Sequence, residues 1–251
     1  VKLTGNAHYQ EAFGPLIEGV KYAEINDLDS VKALLNEKTA AIIVEPVQGE
    51  GGVYVCSKEF LTGLRKLCDE RDIALILDEV QCGMGRTGTI MTYFQYDILP
   101  DILCLAKGIG AGFPMGAFVA NKKFAAAMEP GDHGSTYGGN PMAGQACRTV
   151  FKILEDTKMI DHVQDISEYL IEKLDDLQEE FPCIKERRGL GLMIGLEFDK
   201  PVKDIVKTCL DLGLIVVTAG SHVVRMLPPF ITTEKDVDQA IAILKEAIEK
   251  N

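Results

Sequence analysis

Ile73-Ala-Leu-Ile-Leu-Asp78-Glu79-Val80-Gln81 and Pro100-Asp-Ile-Leu-Cys-Leu-Ala-Lys107-Gly108-Ile-Gly110-Ala-Gly112-Phe-Pro114-Met-Gly116 decide how this chain is to be read. In each stretch a short apolar run stops at a polar group, Asp78 in one and Lys107 in the other. Apolar runs of this length, bounded by turn residues, read as buried strands. In open α/β sheets ligands bind outside the carboxyl ends of parallel strands, so Asp78 and Lys107 sit where a small molecule could lie between them. A lysine at the end of a buried strand is costly unless it has a partner or covalent work. Desolvation disfavours its charged form and lowers its pKa, and a neutral amine attacks carbonyls. The glycines after Lys107 remove side chains where a bound group would need room.

A lysine for a covalent link and an aspartate for a pyridinium nitrogen are the two protein groups that pyridoxal phosphate chemistry needs. Other readings of the same residues exist. A strand-end lysine alone also occurs as a rim salt bridge. An apolar strand ending in Asp-Glu also suits the magnesium-binding strand of P-loop NTPases, but the chain has no G-x-x-x-x-G-K-[ST] loop.

Composition narrows the field. At 251 residues the chain is long enough for a sizeable core in one or two domains. Its net charge of −12 argues against a nucleic-acid partner, which needs a basic face. No apolar run approaches the roughly 20 residues of a membrane span. The seven cysteines are scattered, odd in number and without a C-x-x-C pair, so they read as buried thiols in a reducing, cytoplasmic setting. The four histidines have no metal-ligand spacing, and no metal site is expected.

Along the chain, residues 1–20 look irregular, Lys21–Asn26 reads as a strand and Leu28–Glu37 as a helix. Ala40–Val44 is a β-branched strand stopped by Pro46. Ser57 is a candidate N-cap for a helix with Phe60, Leu61, Leu64, Leu67 and Cys68 on one face. Strand and helix alternate, which implies βαβ units and a mostly parallel sheet. The link from Ile102–Ala106 to Gly116–Ala120 is too short for a helical crossover, so that pair is expected to be antiparallel. After a glycine-rich loop at Gly131–Pro141, Met142–Leu154 and Val163–Phe181 are helical. From Cys183 the texture becomes α+β: strands at Gly191–Phe198, Leu214–Thr218 and Val223–Leu227, a helix at Val202–Leu212, and a capping box, Thr233 with Asp236, opening a last helix. A domain boundary is therefore expected between 1–182 and 183–251. Gly189-Leu-Gly191-Leu-Met-Ile-Gly195 superficially resembles a dinucleotide loop. It does not lie between a strand and a helix, and it reads as a flexible lead into a strand.

Four motifs occur in order: Val44-Glu45-Pro46-Val47-Gln48-Gly49-Glu50-Gly51-Gly52, Leu77-Asp78-Glu79-Val80-Gln81-Cys82-Gly83-Met84-Gly85-Arg86-Thr87-Gly88, Ala106-Lys107-Gly108-Ile109-Gly110 and Gly134-Ser135-Thr136-Tyr137-Gly138-Gly139-Asn140-Pro141. Together they closely resemble the class III pyridoxal-phosphate-dependent aminotransferases, nearest to the acetylornithine and ornithine branch. The resemblance covers essentially the whole chain. It implies a fold-type-I α/β transferase, part of a doubly wound αβα large domain followed by a small α+β domain. It also implies pyridoxal 5′-phosphate as cofactor. The implied reaction is transfer of a terminal amino group from N-acetylornithine or ornithine to 2-oxoglutarate, in arginine biosynthesis, by a cytoplasmic homodimer with shared sites. A 4-aminobutyrate-type ω-aminotransferase and a non-catalytic fragment that folds or dimerises are the competing readings. In the family, roughly the first third of the chain precedes the position of Val1. It carries the phosphate cradle, a ring-stacking aromatic residue and a substrate arginine.

By the same resemblance, Lys107 is the Schiff-base lysine and general acid–base, and Asp78 pairs with the pyridine nitrogen. Val80 packs on the ring and Gln81 donates to the phenolic oxygen. Glu79 belongs to the same cofactor-binding motif, although strand alternation turns it to the opposite face, where a structural role suits it better. Thr136 would serve the phosphate of a neighbouring subunit's cofactor, with Ser135 near substrate. Arg225 would grip a substrate α-carboxylate, and Glu50 would neutralise it between substrates.

Overall fold

The computed structural model describes all of residues 1–251. Two compact units are present, Val1–Ala40 and Ala41–Asn251. The first contains α1 (Ala7–Glu11) and α2 (Leu28–Leu34), and Asp27 caps α2 by accepting from the backbone N–H groups of Asp29 and Ser30. Lys21–Asn26 is not a strand. The unit contributes no strand to any sheet, so the segment has no ladder to join, and Asn26 turns left-handed at φ +61°.

The second unit opens with β1 (Ala41–Val44), the short hairpin strands β2 (Val47–Gln48) and β3 (Tyr54–Val55), α3 (Lys58–Arg71) and β4 (Ala74–Asp78). Ser57 accepts from the Phe60 N–H and starts α3, whose buried face carries Phe60, Leu61, Leu64, Leu67 and Cys68. β5 (Ile102–Leu105), β6 (Ala117–Ala120) and α4 (Lys122–Ala125) follow. The sheet order is β1-β4-β5-β6, with β1, β4 and β5 parallel and β6 antiparallel to β5. Val44 pairs with Leu77, and Asp78 with Cys104, so the three parallel strands end at one level.

The chain then runs through α5 (Pro141–Asp156) and α6 (Met159–Glu180) into a second, wholly antiparallel sheet. Its strands are β7 (Ile184–Leu190), β8 (Met193–Phe198), β9 (Val217–Thr218) and β10 (Val223–Met226), in the order β7-β8-β10-β9. α7 (Lys203–Asp211) and α8 (Glu234–Glu249) complete it, and the Thr233–Asp236 capping box is made in both directions. α6 lays Val163, Ile166, Leu170, Leu174 and Leu177 onto this sheet. β7 is absent from the hydropathy pattern because Ile184-Lys-Glu-Arg-Arg-Gly-Leu190 is mostly charged. The expected change of texture near Cys183 is a change of sheet, yet both sheets belong to the one unit 41–251.

Glycines explain that union. A Cβ on Gly191 (φ +56°) would lie 2.5 Å from the Thr87 carbonyl carbon, and one on Gly195 would lie 2.9 Å from the Val53 Cβ. The 189–195 stretch is therefore no flexible lead-in. It is the β7–β8 hairpin, turning at Gly191-Leu192, whose bare backbone lets the second sheet press on the loops of the first. The Leu192 N–H donates to the Arg86 carbonyl across this contact at 2.9 Å.

Glu79 stands apart from its neighbours in the motif. It is 1% exposed, and its two oxygens accept from the backbone N–H groups of Thr92 and Tyr93, each at 2.7 Å. It therefore pins the β4–β5 connection, the structural role that strand alternation suggests for it. Burial raises its pKa from an ordinary 4.5 to about 7, against the pull of those N–H groups. The seven cysteines are all free, four of them buried and Cys104, Cys147 and Cys183 half-buried. No helix is long and apolar enough to cross a membrane.

Two measurements check this packing. Gly191→Ala forces a left-handed backbone and a clash together and should cost about 2–4 kcal/mol in urea unfolding. Gly144→Ala, on the open face of α5, should stabilise by about 0.5–1 kcal/mol. For Glu79, the unfolded chain loses its proton first as pH rises from 4.5 towards 7, so it binds fewer protons than the folded chain and stability falls over that window. Unfolding at several pH values should show this slope in the native chain and a flatter one in Glu79→Gln; equal slopes would refute the assignment.

Candidate functional site

The level ends of β1, β4 and β5 carry Glu45, Asp78 and, two residues past β5, Lys107. Asp78 is half-buried, and its Oδ1 accepts from the Val80 N–H at 3.0 Å, which turns the chain out of the strand and leaves Val80 half-buried beside it. Lys107 is exposed, not buried as a strand-end position would suggest. The strand stops at Leu105, and Lys107 begins a short 3₁₀ turn with φ +46°. A left-handed backbone at a residue with a long side chain is uncommon and marks a position fixed by its surroundings. Across the strand ends stand a carboxylate that can hold a cationic nitrogen and an amine that can attack a carbonyl.

Glu45 is assigned no role by any local sequence rule. It follows the Val44–Leu77 pair, which places it beside Asp78. Its carboxylate accepts from the Gly49 N–H at 3.3 Å. Its pKa is raised, first by burial and further by the charges of Asp78 and Glu50, while Lys107 pulls it down. The signal available was its position, a carboxylate at the end of the neighbouring parallel strand.

The second sheet contributes Arg225 from β10. It is 8% exposed, and its Nη1 donates to the Gly49 carbonyl at 2.9 Å, Glu50 Oε1 at 2.7 Å and Gln81 Oε1 at 3.1 Å. Its Nε is buried without a partner. Because a guanidinium only donates, the Gln81 amide must present its oxygen to Arg225, and its nitrogen is the end left to donate elsewhere. Gly49 makes room for that amide, since a Cβ there would lie 2.1 Å from Gln81 Nε2. The structure thus joins Glu50, Gln81 and Arg225, although 175 positions separate the first from the last. Glu50 is the exposed member of its ion pair, its side chain 64% accessible against 10% for Arg225. With its carboxylate largely in solvent, Glu50 is the weakly held member of the pair. A buried arginine left with no counter-charge is costly.

Ser135 and Thr136 lie on the exposed loop before α5, and neither hydrogen-bonds to the strand-end groups. Within the loop the Gly138 N–H donates to the Ser135 carbonyl and Asn140 donates to the Tyr137 carbonyl, and Asn140 at its end caps α5.

Residues 1–248 match the family described as aminotransferase class III. The chain is 47% identical over 249 residues to an acetylornithine aminotransferase of Clostridium acetobutylicum, covering 99% of this chain and 64% of that protein. It is 45% identical over 243 residues to that of Methanocaldococcus jannaschii, covering 97% and 61%. Among solved structures it superposes on N-acetylornithine aminotransferase from Stenotrophomonas maltophilia with TM-score 0.83 at 35% identity, covering 92% of this chain and 62% of that one. Ornithine aminotransferase from Toxoplasma gondii gives TM-score 0.91 at 30% identity, covering 99% and 61%. The chain therefore spans less than two thirds of the length of the relatives it matches. The cofactor of this family is pyridoxal 5′-phosphate, and its fold is the fold-type-I α/β arrangement. With these motifs, this sheet order and a match that runs nearly end to end, the chain belongs to the class III aminotransferases.

Proposed function

We propose that this chain carries the amino-transfer site of an enzyme that moves the terminal amino group of N-acetylornithine or ornithine to 2-oxoglutarate, a step in arginine biosynthesis. The observation that carries the reading is Arg225, buried yet held by a displaceable Glu50, meeting Gln81 at the strand ends that bear Asp78 and Lys107. The names of the relatives support the choice of donor.

The donor set fits pyridoxal 5′-phosphate: a carboxylate for the ring nitrogen, an amine for the aldehyde carbon, and an amide whose nitrogen is left free to donate. When bound, that cofactor supplies a ring that takes up the electron pair released as a proton leaves the amine-bearing carbon. Asp78 would keep the ring nitrogen protonated, Val80 would pack on the ring and Gln81 Nε2 would donate to the phenolic oxygen. Lys107 Nζ would hold the aldehyde carbon. Once freed by an incoming amine, it would take the proton from the terminal carbon of the donor. Glu45 places a second carboxyl group beside Asp78 at that end of the site.

Substrate order follows from Arg225. A donor that presents its terminal amine keeps its α-carboxylate remote, and Glu50 stays on Arg225. A 2-oxo dicarboxylate brings its α-carboxylate to Arg225, using the unpartnered Nε, and Glu50 swings into solvent. The exposed 131–140 loop suits a homodimer, in which Thr136 would donate to the phosphate of the partner's cofactor and Ser135 would lie near substrate. We place the enzyme in the cytoplasm.

Two experiments test the reading. After mixing with pyridoxal 5′-phosphate and borohydride reduction, peptide mass mapping should find the cofactor on Lys107, and Lys107→Ala should abolish it; a reduced linkage at another lysine would sink the assignment. Arg225→Lys loses the planar fork, and should raise the 2-oxoglutarate KM about 10- to 100-fold, equivalent to a charged hydrogen bond of roughly 1.5–3 kcal/mol. The KM for N-acetylornithine should move far less, and equal changes in both would contradict the proposed order.

A further inference from the structure

Arg188 on β7, Gly195 on β8 and Arg225 on β10 are direct partners across the second sheet: Arg188 pairs with Gly195, and Gly195 with Arg225. Side chains at paired positions emerge on one face. Two buried arginines thus flank a residue that has no side chain. Val53 fills the gap. It is fully buried, and a Cβ on Gly195 would lie 2.9 Å from its own Cβ. Val53 belongs to the turn between β2 and β3, the same turn that carries Glu50. The turn is strained, with Gly52 at φ +121° and Val53 at φ +58°, a region strongly disfavoured for a β-branched residue.

Arg188 grips this turn at the end opposite Arg225. Its Nε donates to the Gly52 carbonyl at 2.7 Å, and its guanidinium lies 4.0 Å from the centroid of the Tyr54 ring. Behind it, Nη1 donates to Glu186 at 2.7 Å and to Glu197. These carboxylates orient the guanidinium, and Nη2 is buried without a partner beside Gly52. The turn is held at both ends by arginines of one row, with Val53 plugged between them. One of the two, Arg225, must release Glu50 when a carboxylate arrives.

We infer that Arg188 is a positioning residue for the Glu50–Arg225 gate: by fixing Gly52 and Tyr54 it holds the strained turn in the conformation that lays Glu50 on Arg225. This rests on the reading of that ion pair given above. Loosening the anchor lets Glu50 wander, so it competes less well with a substrate carboxylate, and 2-oxoglutarate binds more tightly.

The test measures the 2-oxoglutarate dissociation constant by calorimetry on the cofactor-saturated chain, with amide exchange over residues 49–55. Arg188→Lys keeps the charge and loses the fork and the stack. Tyr54→Leu removes only a ring that is 39% exposed, so it guards against a folding defect in the first variant. Each should tighten binding about two- to fivefold, the worth of a solvated ion pair, and should speed exchange of the turn. In a Glu50→Gln background, itself tighter-binding, both effects on affinity should vanish. If Glu50→Gln tightens binding but Arg188→Lys and Tyr54→Leu do not, or act equally in both backgrounds, Arg188 only packs and the inference falls. If Glu50→Gln leaves affinity unchanged, the gate itself is wrong, and this inference goes with it.

Discussion

A missing side chain at Gly195 is the constraint on which the site depends. Because nothing projects from β8 at that position, Val53 can be buried between Arg188 and Arg225, and the β2–β3 turn is drawn onto the second sheet. The turn brings Glu50 with it, while Gly49 clears space for the Gln81 amide. Arg225 then touches three groups that the sequence scatters, Gly49, Glu50 and Gln81. Gly191 acts likewise at the β7–β8 turn, where Thr87 and Arg86 lie against bare backbone. Close packing of this kind transmits small displacements, because the interior has no slack to absorb them.

The electrostatics of the site divide along the two sheets. The parallel strands end in carboxylates, Glu45 and Asp78, with Lys107 as the nearby cation. The antiparallel sheet supplies buried guanidinium groups whose counter-charges, Glu50, Glu186 and Glu197, are more exposed than they are. A cation fixed in the interior and an anion free to leave make an exchangeable site, since displacement costs only a solvated ion pair. The same inequality distinguishes Glu79, whose carboxylate is buried, doubly hydrogen-bonded and fixed.

Much of this was legible in the residues. The apolar runs ending at Asp78 and Lys107, the Ser57 cap, the Thr233–Asp236 box and the antiparallel return of β6 each follow from a local rule, and each is present. Where local rules fall short, the deciding information is not local. Lys21–Asn26 has strand composition but no ladder beside it, and strand propensity is only realised in a pair. β7 was hidden because its residues are charged, Arg188 packing by its stem and stack where an apolar side chain would be expected. Gly189–Gly195 looked loose because the backbone that presses on it comes from far upstream in sequence. Glu45 gained its place only when β1 was set beside β4.

In the proposed reading the two sheets form one site, at which an amine and a 2-oxo acid are handled in turn. The most direct measurement is the visible absorption of the cofactor on the purified chain after incubation with pyridoxal 5′-phosphate and dialysis. The retained band should be lost on adding N-acetylornithine and restored by 2-oxoglutarate. A chain that retains no band, or a band that neither substrate changes, would contradict an amino-transfer site built from Lys107, Asp78 and Arg225.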